Sequence, residues 1–153
     1  MRYNPNNPVS AEKLVNYSSK AQLEQILKEY GEEEFAEEIA QAIVQGRTQK
    51  YVQKTFQLVQ IVQEATPKWY HRKKIHPATK TFQALRIAVN NELRNLREGL
   101  AQAKDLLGPQ GKIAVISFHS LEDRIVKEFF KQESTLHPIT KKFFERLAPI
   151  FWV

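Results

Sequence analysis

Between Lys112 and Arg124 the chain reads KIAVISFHSLEDR. An apolar and mostly β-branched run, Ile113 to Ile116, leads directly into Ser117, His119, Ser120, Glu122, Asp123 and Arg124. Hydroxyl, imidazole, carboxylate and guanidinium groups can exchange protons, hydrogen-bond a base or meet a phosphate. In open α/β sheets ligands bind outside the carboxyl ends of the strands, so a buried strand with this ending reads as the rim of a site. Ser117, His119, Ser120 and Asp123 are the pocket candidates. His119 has two readings: it hydrogen-bonds a substrate base, or it fixes its own loop through the backbone. Asp123 and Arg124 read as an ion pair that holds the loop, or with Arg124 turned to phosphate, which its planar fork suits. A Ser-His-Asp hydrolase lacks support because no G-x-S-x-G elbow is present. Glu122 and Asp123 are adjacent and do not face each other across a cleft, which argues against a glycosidase pair.

The second chemical cluster is Trp69 to Pro77, WYHRKKIHP. Trp69, Tyr70, Arg72, Lys73 and Lys74 combine aromatic faces with positive charge, the combination that holds unpaired bases and their phosphates. The alternative is an ordinary surface loop with Trp69 tucked into the core. Lys80 and Arg86 carry the charge onto the following helix. There Thr79, Gln83, Arg86 and Asn90 share one polar face, suited to RNA or to packing on another domain. His71 and His76 have no third ligand in sight, and no metal site is expected.

These groups need elements to position them. Ser10 caps a short helix through Tyr17. Ser19 to Gln22 forms a capping box, and Leu23, Ile26, Leu27 and Tyr30 follow at helical spacing. Gly31 is the expected C′ residue. Glu32, Glu33 and Glu34 open a third helix, where acids favour the positive end of the macrodipole. Phe35, Ile39, Ala40 and Ile43 form its stripe, and Gly46 is its stop. A fourth runs from about Val52 to Ala65, with Phe56, Val59 and Val62 facing inward, and ends before Pro67. Pro77 suits the first turn of the next helix. A long helix is expected from Thr79 to Leu107, about 45 Å at 1.5 Å per residue. Gly108-Pro109 stops it. Strand 112–118 and a helix from about Leu121 to Lys131 follow. Leu136 to Lys142 reads as a short extended segment and Phe143 to Leu147 as a helical turn. The final AlaProIlePheTrpVal is apolar and exposed unless it packs back.

The chain has 153 residues, enough for a domain with a real core, and a net charge of +6. It lacks cysteine, so disulfides and cysteine metal sites are excluded. No apolar run approaches the roughly 20 residues of a membrane helix, and the first residues lack a signal-peptide layout. A cytoplasmic location is the expectation. Lys20 to Glu38 is acidic and Arg47 to Arg97 basic, and a basic block suits a polyanion because neutralised phosphates release counterions. The fold class expected is mainly α, with one strand and a second near the end.

Three stretches resemble the bacterial S-adenosylmethionine-dependent 16S ribosomal RNA cytosine-N4 methyltransferases. They are YGEEEFAEEIAQAIV (30–44), IHPATKTFQALRIAVNNEL (75–93) and KIAVISFHSLEDRIVKEFF (112–130). They fall in that family's order, and the last two are highly specific. The resemblance covers about Met1 to Phe130. It implies a helical domain inserted in a Rossmann-like methyltransferase sheet, residues 1–108 being the insert and 109–153 a partial return to the sheet. It implies S-adenosylmethionine as methyl donor and 16S rRNA of the small ribosomal subunit as partner. RNA contacts would come from Trp69, Tyr70, Arg72, Lys73, Lys74, Lys80, Arg86 and Arg124. The family's glycine-rich cofactor loop and ribose-binding acid are not found in this sequence, so no cofactor-binding residue is expected here. The chain resembles a fragment of the enzyme, inactive alone. The alternatives are a non-catalytic RNA-binding or ribosome-assembly module, and a non-functional gene fragment that self-associates through an unpaired strand edge.

Overall fold

The computed structural model describes residues 1–137, 139 and, as main chain only, 150–152. The chain divides into two compact units, Met1–Asn90 and Asn91–Val153.

The first unit is helical: α1 (Ala11–Tyr17), α2 (Lys20–Gly31), α3 (Ala36–Gln49), α4 (Thr55–Ala65), a 3-10 turn (Tyr70–Arg72) and α5 (Thr79–Asn90). Helix α2 lies against α3 and α5, and α3 against α4. Leu23 and Leu27 from α2, Ile39 and Ile43 from α3, Val62 from α4 and Leu85 from α5 are fully buried and form one core. Ser10 caps α1 by accepting the Lys13 amide at 3.1 Å. The capping box is closed from both sides: Gln22 N donates to Ser19 Oγ at 3.2 Å and Ser19 N to Gln22 Oε1 at 2.8 Å. The N-terminal segment is tied to the end of α5. Tyr3 N donates to Asn90 Oδ1 at 2.9 Å, Asn90 Nδ2 to Met1 O at 2.8 Å, and Asn7 Nδ2 to Val89 O at 2.7 Å.

Several expectations are corrected here. Gly31 is the last residue of α2, and Glu32 (φ 46°, ψ 42°) takes the left-handed cap position. Gly31 serves close packing instead, because a Cβ there would lie 3.0 Å from Lys80 O and 3.3 Å from Ala84 Cβ. The third helix begins at Ala36, so Glu32 to Glu34 form the connection before it. Gly46 does not stop α3, which continues to Gln49; a Cβ at Gly46 would meet Ile61 at 3.1 Å. Phe56 is 61% exposed, while Leu58 and Val62 carry the buried face of α4. Pro77 precedes α5 and does not lie within it. The long helix is two helices. Asn91 adopts φ 51°, ψ 37°, and α6 (Glu92–Asp105) starts after it. Asparagine tolerates this left-handed conformation better than most residues. The apolar spacing continues across it, which is why periodicity alone merges the two.

The second unit holds α6, β1 (Ala114–Ile116), α7 (Ser120–Gln132) and β2 (Ile150–Trp152). Leu121, Ile125 and Val126 are buried on α7, and Leu93 and Leu100 on α6. The two helices pack together. Lys104 Nζ meets Glu133 Oε2 at 3.0 Å near their ends. Strand β1 is shorter than 112–118 and less buried than its composition implies. Ile113 and Ser117 are buried, but Ile116 is 55% exposed. β2 pairs antiparallel with β1, Ala114 opposite Trp152 and Ile116 opposite Ile150. The helical turn expected at 143–147 and most of the extended segment at 136–142 lie outside the described residues. No described helix is long and apolar enough to cross a membrane.

Candidate functional site

The strand-end cluster forms within the second unit. Ser117 is 1% exposed and its Oγ has no hydrogen-bond partner among the described residues. His119 occupies the N-cap of α7, in extended conformation. Its Nδ1 accepts the Glu122 amide at 3.3 Å, and Glu122 Oε2 accepts the Phe118 amide at 2.7 Å. These two reciprocal bonds lock residues 118–122, as a serine–glutamine box does elsewhere. His119 thus holds its own loop through Nδ1.

With Nδ1 accepting, a neutral ring carries its proton on Nε2. That nitrogen lies 3.4 Å from Glu122 Oε1 and makes no hydrogen bond among the described residues. One donor atom each from Glu92, His119 and Glu122 lies within 4.8 Å of the others. A metal there would require a lone pair on Nε2 and a proton on Nδ1, which would break the cap. His119 and Glu122 therefore read as a loop lock. Asp123 Oδ2 pairs with Lys127 Nζ at 2.7 Å, one turn further along α7, while the buried Oδ1 has no partner among the described residues. Ser120 and Arg124 are on the exposed part of the first turns of α7. Among the described residues the structure thus leaves three buried polar atoms without a hydrogen bond, on Ser117, His119 (Nε2) and Asp123, beside a rigid helix start.

The basic and aromatic loop belongs to the first unit. Trp69 is 51% exposed, so it is not tucked into the core, whereas Tyr70 is buried. Phe35, Trp69 and Tyr70 pack edge to face, with centroids 5.0 to 5.9 Å apart. Tyr70 Oη donates to Glu33 Oε1 at 2.7 Å, and the Phe35 amide donates to the same oxygen at 3.2 Å. Burial first, and then Glu33, push the Tyr70 phenol above its ordinary range. Lys73 Nζ sits 4.9 Å from the Trp69 centroid and 4.5 Å from that of Tyr70, and bonds Glu34 Oε2 at 3.0 Å. Arg72 and Lys74 are exposed, and their side chains have no partner among the described residues.

The two histidines of this loop are occupied locally. His71 Nε2 is 2.9 Å from Thr66 Oγ1, and His76 Nδ1 accepts the Ala78 amide at 3.2 Å. Lys80 donates to Glu32 O at 2.7 Å, capping α2. Along α5, Gln83 donates to Tyr30 O at 3.2 Å and Asn90 holds the N-terminal segment, so much of that polar face bonds within its own unit. Sequence reading missed Glu33 and Glu34, which organise the basic loop from 37 and 39 residues away. The signal was the acidic block itself, a natural partner for the basic one.

The chain matches the model of the MraW methylase family over residues 1–147. It is 50% identical over 145 residues to the ribosomal RNA small subunit methyltransferase H of Persephonella marina, covering 93% of this chain and 50% of that protein. The enzyme of the same name from Geobacter sulfurreducens is 52% identical over 132 residues, 86% of this chain and 42% of that one. That of Heliobacterium modesticaldum is 48% identical over 134 residues, 88% and 43%. The chain therefore spans about half the length of the relatives it matches. The specific motifs at 75–93 and 112–130 lie inside the matched region, and the chain belongs to the MraW methylase family.

Proposed function

We propose that this chain works as the RNA-handling part of an S-adenosylmethionine-dependent methyltransferase that modifies the N4 amine of a cytosine in 16S rRNA. The observation that carries the reading is the family match, with relatives named as ribosomal RNA small subunit methyltransferases. The exposed Trp69 face, with Arg72, Lys73 and Lys74 beside it, adds a surface suited to unpaired bases and phosphates. In this reading the helical domain, residues 1–108, grips the RNA and residues 109–153 shape the pocket.

The target amine needs an in-line approach to a methyl sulfonium, and most of that work is orientation. The base must first leave its stack. Ser117 Oγ and Asp123 Oδ1 are buried without partners among the described residues and are the groups this chain offers to a base. His119 and Glu122 hold the loop that carries them. Arg124 faces the phosphates.

S-adenosylmethionine is the methyl donor the family implies, and the residues present do not fit it. No glycine has a positive φ. At Gly31, Gly46 and Gly111 the space is taken by Lys80 and Ala84, by Ile61, and by Leu107 and Gly108 respectively, while Gly99 and Gly108 face open space with no close wall. None makes a cradle for a nucleoside, and the role assigned to this chain is confined to the RNA side. Isothermal titration of the 153-residue chain with S-adenosylmethionine should show no micromolar binding; tight binding would overturn that division of labour. Deleting the gene that encodes the chain should lower N4-methylcytidine in nuclease-digested 16S rRNA. An unchanged level rejects the proposal.

A further inference from the structure

A second aromatic and basic cluster lies in the first unit, at the opposite end of α4 from Trp69. Tyr17 closes α1 and Tyr51 lies in the loop after α3. Their rings meet edge to face at 6.2 Å and are 72% and 38% exposed. Phe56, in the first turn of α4, is 61% exposed, with Lys54 Nζ 5.9 Å from its centroid. Lys50 is exposed beside Tyr51, and neither Lys50 nor Lys54 has a carboxylate partner among the described residues.

The loop between is held in place. Val52 N donates to Asn16 Oδ1 at 3.0 Å and Asn16 Nδ2 donates to Val52 O at 2.9 Å. Gln57 Oε1 accepts the amides of Gln53 and Lys54 at 2.9 and 2.8 Å. Single exposed apolar side chains are routine. Three exposed rings on and beside a pinned loop, with two exposed lysines among them, are not. A fixed platform loses little freedom on binding. The Tyr17 hydroxyl, more than burial or Glu12, raises the Tyr51 phenol to about 12.

We propose that Tyr17, Tyr51 and Phe56, with Lys50 and Lys54, form a second stacking site for single-stranded RNA. The inference rests on the RNA-handling reading above and adds to it a site at the far end of α4. The rings require unstacked bases, so duplex RNA does not suit them. Helix α4 is about 16 Å long at 1.5 Å per residue, or about five stacked nucleotides at 3.4 Å each. A strand of about a dozen nucleotides reaches both ends.

The test is fluorescence anisotropy of the 153-residue chain with an unstructured RNA of that length. The double substitution Tyr51→Ser and Phe56→Ser should weaken binding about ten-fold or more, with the salt dependence unchanged. Lys50→Gln with Lys54→Gln should lower the slope of log K against log salt by about 1.4. Arg72→Gln with Lys74→Gln is measured in parallel. Loss confined to the Arg72/Lys74 variant overturns this second site and leaves the earlier reading standing. No binding by the unmodified chain, or no effect of any substitution, overturns both. Equal losses on duplex RNA overturn the stacking assignment. Photocross-linking of 4-thiouridine RNA to the unmodified chain needs no variant to fold: adducts at 51–56 support the site, and adducts confined to 69–74 overturn it.

Discussion

Glu33 is the residue on which the basic loop turns. It is a carboxyl group 4% exposed, with two donors on one oxygen and no partner among the described residues on the other. A buried carboxyl group with few donors is costly to strip further. Tyr70→Phe should therefore destabilise the chain by about 1.5–3 kcal/mol in urea unfolding at pH 7. Glu33→Gln in the same background should recover part of the loss. The pH dependence has a definite sign. Tyr70 has its phenol raised in the folded state, against about 10 when unfolded. Its contribution is complete below about pH 10 and is lost as pH rises toward the folded value. The gap between the unmodified chain and Tyr70→Phe should narrow above pH 10; a constant gap would reject the assignment. His119 makes a second point at this scale. Its type and place beside a strand end were legible, but its role was not. That Nδ1 faces the Glu122 amide is a matter of loop geometry.

At the scale of elements, local signals succeeded where the chemistry is local. Ser10 and the Ser19–Gln22 box act within one helical turn, and the sequence shows both partners together. Boundaries set by distant contacts were not legible. Gly31 looks like a helix terminator, yet its smallness admits Lys80 O from α5. Gly31→Ala ought to gain up to about 1 kcal/mol from helix propensity alone. The close approach reverses the sign, and a net loss of about 1–3 kcal/mol is expected from chemical denaturation. Asn91 is the reverse case, a backbone conformation with no strong residue signal. Asn91→Gly should be neutral or stabilising, and Asn91→Val should cost about 1–2 kcal/mol. Equal thermal midpoints for these two variants would show that residue 91 is not left-handed. Strand β1 was legible from Ile113 to Ile116, but its exposure was not, because burial depends on what covers each face.

Across the whole molecule, both compact units bury apolar side chains and leave others exposed, as Tyr17 and Phe56 are in the first. The described core cluster, from Val15 to Leu85, lies in the first. In the second, Leu106, Ile116 and Phe118 are 86%, 55% and 83% exposed. Hydrogen exchange should accordingly be slowest in α2, α3 and α5 and fast in β1, whose described pairing is a two-stranded ribbon. Strong protection of residues 114–116 in the isolated chain would contradict this. The acidic and basic blocks are partly reconciled at this scale too, since Lys73 reaches Glu34 at 3.0 Å.

The amide of Asn90 has a consequence for chain topology. It grips Met1 and Tyr3 with its two polar atoms, so the first and last residues of the helical unit stand side by side. A polypeptide that leaves a module where it entered can be spliced into a host between two neighbouring positions, as insertion sites generally require. The host need not stretch to span it, and little loop-closure entropy is added by carrying it. One side chain thus makes ninety residues behave, for whatever flanks them, like a short turn.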